Sequence, residues 1–128
     1  MTGVRQIPGR VTQTVTEQVR KIRAVGQIVT KSADAVTVYT VPLKYICRGR
    51  IYVAELTGTA VTYRIAIRED GDALANEHYV VYDAALAANG HDYSVELLLD
   101  ETDVITAQAS IAGVTFTFLG VLEPKDTA

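Results

Sequence analysis

The sequence predicts an all-β chain: an antiparallel, jelly-roll-like β-sandwich of about eight strands behind an extended N-terminal arm. Three observations carry that expectation. Val and Thr abound, Tyr is the main aromatic and Trp is absent; such β-branched and aromatic side chains fit a pleated, half-buried surface. Apolar and polar residues alternate over stretches separated by turn clusters, at the spacing of about 8–12 residues expected of a sandwich or barrel. Finally, residues 1–31 hold six basic side chains against one acid, Glu17, about +5. Residues 32–128 hold six basic and fourteen acidic side chains, about −8. A basic segment with little apolar surface therefore precedes an acidic, strand-rich body.

Residues 1–10 contain Gly3, Pro8 and Gly9 without a clear period and read as an extended tail. In residues 11–19, Val11, Val15 and Val19 are four apart, which suits a helical stripe, yet they also share a strand parity among polar neighbours. Either way the apolar face is thin and needs a partner surface. The expected division is an attachment arm over 1–22 and a sandwich over 23–128.

Arg23 to Val29 is the first expected strand, ended by the turn cluster Lys31-Ser32-Ala33-Asp34. Val36 to Val41 follows and stops at Pro42, which cannot donate to a ladder. In the long strand Tyr45 to Leu56, Cys47, Ile51 and Val53 share one parity and Arg48, Arg50 and Tyr52 the other. Gly49 between two arginines suggests a bulge or bend. Thr57-Gly58-Thr59 reads as a hairpin turn into Ala60 to Glu69. There Val61, Tyr63, Ile65 and Ile67 face inward and Thr62, Arg64, Ala66 and Arg68 face outward. The linker from Asp70 to Glu77 has room for one helical turn. His78 to Asp83, Tyr93 to Leu99, Val104 to Ser110 and Val114 to Leu122 complete the set. Tyr93, Val95, Leu97 and Leu99 are expected on one face, and Phe116 and Phe118 on the buried parity of the last strand.

The residues offer little to catalysis. His78 and His91 show no spacing for a dyad or zinc site with a carboxylate or thiolate. Cys47, the only cysteine, lies on the apolar parity and reads as a buried, inert thiol. A lone cysteine forms no internal disulfide, which fits assembly in a reducing cytoplasm. The acidic runs Glu69, Asp70, Asp72 and Asp100, Glu101, Asp103 lack calcium-loop spacing and read as solvated turns. No enzyme, cofactor or metal is expected. No apolar run approaches the roughly 18 residues of a membrane span, and no leader-like apolar segment opens the chain.

Binding is the better-supported role. The candidate attachment residues of the arm are Arg5, Arg10, Val11, Val15, Val19, Arg20, Lys21 and Arg23. Nucleic acid is not their expected partner: no aromatic precedes Tyr39 to stack on bases, and dense Lys/Arg runs are absent. An acidic protein surface suits them better. If the strands around Thr57-Gly58-Thr59 pair, Arg48, Arg50, Arg64 and Arg68 form one outer face that could meet an acidic neighbour, including another copy of the chain. Exposed sandwich edges favour closure by symmetric assembly, a trimer being the first expectation. Sugar binding is disfavoured by the missing Trp and by tyrosines that mostly fall on buried parities.

The run Thr57-Gly58-Thr59-Ala60-Val61-Thr62-Tyr63-Arg64-Ile65-Ala66-Ile67-Arg68, followed by Ala73-Leu74-Ala75-Asn76-Glu77-His78-Tyr79, resembles small virion structural proteins of tailed bacteriophages. So do Tyr82-Asp83 with Ala87-Ala88-Asn89, and the last strand around Thr115-Phe116, although Gly90 stands where that pattern often has an acid. The resemblance covers roughly 36–122 and omits the arm. It implies a non-enzymatic component of a phage particle, made in the host cytoplasm and located in the virion. Such a component is a capsid decoration or cement protein bound to the major capsid protein, or a neck, collar, tail or fibre-base protein bound to neck or tail proteins. A carbohydrate- or ligand-binding sandwich is the alternative from another class.

Overall fold

The computed structural model describes residues 22–125, which form two antiparallel sheets packed face to face. The strands are β1 (Ile22–Val29), β2 (Val36–Thr40), β3 (Tyr45–Glu55), β4 (Val61–Arg68), β5 (Tyr79–Leu86), β6 (His91–Tyr93), β7 (Leu97–Leu99), β8 (Val104–Ala109) and β9 (Val114–Pro124). Single 3-10 turns at Glu69–Gly71 and Asn76–His78 fill the β4–β5 connection. Sheet I has the order β1-β9-β3-β6, with β7 also paired to β3; sheet II has the order β2-β8-β4-β5. The chain crosses between sheets at nearly every connection, and this interleaving makes a jelly roll. The position expected for one strand is shared by the two short strands β6 and β7. Of the arm residues named above, Arg5, Arg10, Val11, Val15, Val19, Arg20 and Lys21 lie outside the described residues.

The inward parity read from the sequence holds along β3, where Cys47, Ile51 and Val53 are buried, and in β4 at Val61, Tyr63 and Ile65. Ile67 is only half-buried and Ala66 is buried as well, next to the register shift where Ile65↔Val81 gives way to Ala66↔Tyr79. Phe116 and Phe118 of β9 are fully enclosed. The Tyr39 ring stacks on Phe118 at 5.2 Å and the Tyr63 ring meets Phe116 edge-on at 6.3 Å, so one aromatic from each sheet interlocks at two levels.

Three expectations need correction. First, β3 and β4 do not form a hairpin; they belong to opposite sheets. The Glu55 carboxylate folds the connection over by accepting hydrogen bonds from the backbone N–H groups of Thr57 (2.7 Å), Gly58 (2.8 Å) and Thr59 (3.0 Å). Gly58, at φ 79°, supplies the left-handed step. Both strands still bury their apolar parity, but from the two sides of the core. Second, Gly49 is not a bulge: the β3–β9 register runs unbroken from Tyr45↔Pro124 to Glu55↔Val114. Gly49 instead sits opposite Gly120, where a Cβ would come within 2.3 Å of the Leu119 carbonyl and 2.8 Å of the Phe118 ring. Third, the stretch from Tyr93 to Leu99 is not one strand with one buried face. The Ser94 hydroxyl takes the Ile51 N–H (3.0 Å) and the Ser94 N–H binds the Ile51 carbonyl (2.9 Å), splitting the stretch into β6 and β7. Leu97 and Leu99 are buried, whereas Tyr93 and Val95 are exposed.

Candidate functional site

The outer face of sheet I is built from the polar-parity residues of β3 and their partners. Its rows across the sheet read Arg23–Val121–Arg48–Leu98, Val25–Leu119–Arg50 and Gln27–Thr117–Tyr52–Tyr93. Large apolar groups therefore stand in water here: Tyr52 is 42 %, Tyr93 59 % and Leu98 78 % exposed. Arg23, named among the attachment residues and expected to open the first strand, lies on this face opposite Val121 in β1, which opens one residue earlier at Ile22.

The three arginines of this face differ in their surroundings. Arg48 donates to Glu123 at 3.2 Å and lies 3.9 Å from Glu96. Among the described residues Arg50 and Arg23 take part in no ion pair. Arg50 rests over the Tyr93 ring at 5.6 Å, which orients the guanidinium without neutralising it.

The expected four-arginine face is divided by the β3–β4 crossover. Arg64 and Arg68 point outward from sheet II, on the opposite side of the molecule. Arg64 donates to both carboxylate oxygens of Asp83 (2.6 and 3.2 Å) and lies 4.0 Å from the Tyr82 ring centroid. This bonding holds the Asp83 carboxyl below its ordinary pKa and raises that of Arg64. A bulge makes the arrangement possible. Tyr63 pairs with Ala84 and Ile65 with Val81, so Tyr82 and Asp83 together oppose Arg64, with Asp83 at φ 52°. Arg68 donates to the Thr106 hydroxyl (3.1 Å) and to the Asp72 carbonyl (2.8 Å).

Elsewhere, polar side chains close turns. Buried Glu55 also accepts from the Asn89 N–H (3.0 Å), tying the β3–β4 and β5–β6 connections together. The Thr57 hydroxyl bonds Glu55 as well, and this bond leads the backbone donors in lowering the carboxyl pKa to about 2. His78 Nδ1 accepts from the Ala75 N–H at 2.9 Å. Asp103 accepts from the N–H groups of Asp70 (3.1 Å) and Asp100 (2.8 Å), bringing the two acidic turns to one end of the sandwich. Burial pushes the Cys47 thiol up to about 11.

His78, His91 and Cys47 do not converge. His91 pairs with Ala54, and Cys47 lies seven residues down the same strand, about 23 Å away. His78 belongs to the β4–β5 connection of sheet II. Among the described residues no group of three or more His, Cys, Asp and Glu has a geometry for holding a metal, and no helix is long and apolar enough to cross a membrane.

Sequence reasoning missed Glu55 and the exposure of Tyr93 and Val95. Glu55 could have been found as an acid on the inward parity of a core strand, immediately before Thr-Gly-Thr. The exposed group had no such signal, because it follows from the split at Ser94.

No family model matches the sequence, and no curated protein matches it. Similarity is found among solved structures. A Bacillus endospore appendage protein from disulfide-linked pili aligns at 15 % identity and TM-score 0.52, over 83 % of this chain and 89 % of that one. A protein of the infectious bursal disease virus particle aligns at 9 % identity and TM-score 0.50, over 82 % of this chain and 31 % of that one. A chain from the capsid structure of Helicobacter pylori bacteriophage KHP30 aligns at 12 % identity and TM-score 0.49, over 83 % of this chain and 89 % of that one. At these identities the likeness defines the fold alone.

Proposed function

We propose that the chain is a non-enzymatic structural component of a tailed-phage virion: a capsid decoration or cement protein attached through its N-terminal arm. One observation carries this reading. The described polar chemistry is largely used to close turns, while exposed apolar area and unpaired arginine gather on the sheet face that contains β1, the strand into which the basic arm leads. A surface of this kind serves contact with other proteins. The phage-like strand and turn motifs, and a shared fold with a viral-particle protein, support the virion setting.

The arm carries Arg5, Arg10, Arg20 and Lys21 against Glu17 and suits an acidic surface of the major capsid protein. Its thin Val11, Val15 and Val19 stripe adds apolar contact to that attachment. A pilus role fits less well. The chain's only cysteine, Cys47, is buried with a strongly raised pKa, so it is poorly placed for disulfides between subunits.

Mass spectrometry and immunogold imaging of purified particles test the proposal. The expected result is a stoichiometric component labelled on the head. Absence from particles overturns the virion reading; label confined to the neck or tail overturns the decoration role. In the full-length chain, joint reversal of Arg5, Arg10, Arg20 and Lys21 to Glu should abolish binding to particles lacking the protein. Wild-type binding should weaken as salt shortens the screening length below about 8 Å.

A further inference from the structure

We propose that the outer face of sheet I is covered in solution by a second copy of this chain, with Leu119, Tyr52 and Tyr93 at the centre of the contact and Arg50 as its charged anchor. The inference goes beyond the virion reading and holds whether or not a particle is present.

Size comes first. Three strands of at least eight residues, with the short β6 and β7 sharing the fourth position, at about 4.8 Å between strands and about 3.3 Å per residue span about 19 by 26 Å. That is a flat footprint of about 500 Å². Side-chain relief raises the accessible area toward the roughly 800 Å² per partner of a standard interface. The face also has the composition of a contact centre, with Tyr and Arg beside aliphatic groups.

Charge selects the occupant. Residues 22–125 carry eight basic and thirteen acidic side chains, net −5. This face carries Arg23, Arg48 and Arg50 against Glu96 and Glu123, net +1. The rest of the described chain is therefore about −6, so a second copy brings the carboxylates that Arg50 lacks. Glu96 of this same face, half-exposed and only loosely held by Arg48 at 3.9 Å, is a further carboxylate that a second copy offers where two such faces meet. The chain's own arm is the poorer occupant, because Arg5, Arg10, Arg20 and Lys21 against Glu17, net +3, would meet a face that is itself net +1.

The edges agree with this choice. β5 carries two register shifts, β2 carries one, and β6–β7 is interrupted. Edge strand β1 alone keeps an unbroken eight-residue register, so the sheet I face continues to that side without a bulge.

The test is the native mass of the full-length protein by sedimentation equilibrium, read against the 13.9 kDa monomer. Wild type should sediment as an assembly. Leu119→Arg should be folded by circular dichroism and monomeric. Arg50→Glu should weaken association about tenfold or more. Thr62→Arg, placing an arginine on the outer face of sheet II, should keep the wild-type mass. A monomeric wild type at micromolar concentration overturns the proposal, as does a folded Leu119→Arg that keeps the wild-type mass. If Leu119→Arg misfolds, Arg50→Glu decides: an unchanged association constant overturns the proposal. A monomeric wild type whose Arg50→Glu variant loses particle binding assigns the face to a different particle component, again against a second copy. None of these masses bears on whether the protein is found in virions.

Discussion

Arg50 on one outer face of the sandwich and Arg64 on the other both stand on inner strands beside a tyrosine, yet they are held in opposite ways. On sheet II, Arg64 is held by both oxygens of Asp83 and lies over Tyr82, and Arg68 is bonded to Thr106 and to the β4–β5 loop. That face satisfies itself. On sheet I, Arg50 has no carboxylate among the described residues and lies over Tyr93, amid Leu119, Tyr52 and Leu98. That face leaves Arg50 without an ion pair among the described residues. The difference is not in the arginines but in the neighbouring strand. A double-bulged β5 turns an acid and an aromatic toward Arg64, whereas the split at Ser94 leaves β6 and β7 with apolar groups in water.

The largest expected effect breaks both faces at once by opening the core they share. Ile65→Ala should cost about 2–4 kcal/mol from lost burial and residual cavity, measured by urea unfolding. Near-wild-type stability would mean that Ile65 is not in the packed interior.

Next in size is the junction between the sheets. The folded-state pKa of Glu55, about 2, lies below the ordinary glutamate value. Its stabilisation is therefore complete above the unfolded-state pKa of about 4.3 and is lost as pH falls through about 2. Glu55→Gln should be less stable than wild type at pH 7, and its unfolding midpoint should fall less steeply between pH 5 and pH 2. Parallel pH profiles for the two proteins would remove Glu55 from its role in the turn.

The comparison itself is sharpened by paired truncations. Arg64→Ala strands Asp83 and frees the Tyr82 ring, so it should lower the melting temperature. Arg50→Ala removes no bonded partner within the described chain and should leave the melting temperature of the unassociated protein unchanged. Equal losses would show that the faces do not differ as described. Cys47 provides the smallest readout: a maleimide should label it only after unfolding, since burial holds the thiol near a pKa of about 11. Rapid labelling of the native protein would place the Cys47 thiol outside the core.

By itself the sequence determined the strands of a sandwich, apart from the split of β6 from β7, and the side chains that face inward along β3, β9 and β4 as far as Ile65. A strand covered on one side by a core must alternate, and that alternation is local information. It also marked Arg48, Arg50, Arg64 and Arg68 as outward residues. Only the tertiary structure decided which strands pair. The Thr57-Gly58-Thr59 turn suits a hairpin equally well by residue type; a buried carboxylate one strand-end away, also bonded to Asn89, sends the chain across to the other sheet. Partner choice then decided which arginines are neutralised, because Asp83 is 19 residues from Arg64 and Tyr93 is 43 from Arg50 in the chain. Facing direction is set by the pleat, residue by residue. Neutralisation depends on what a distant strand presents at a given register, and no local period encodes that.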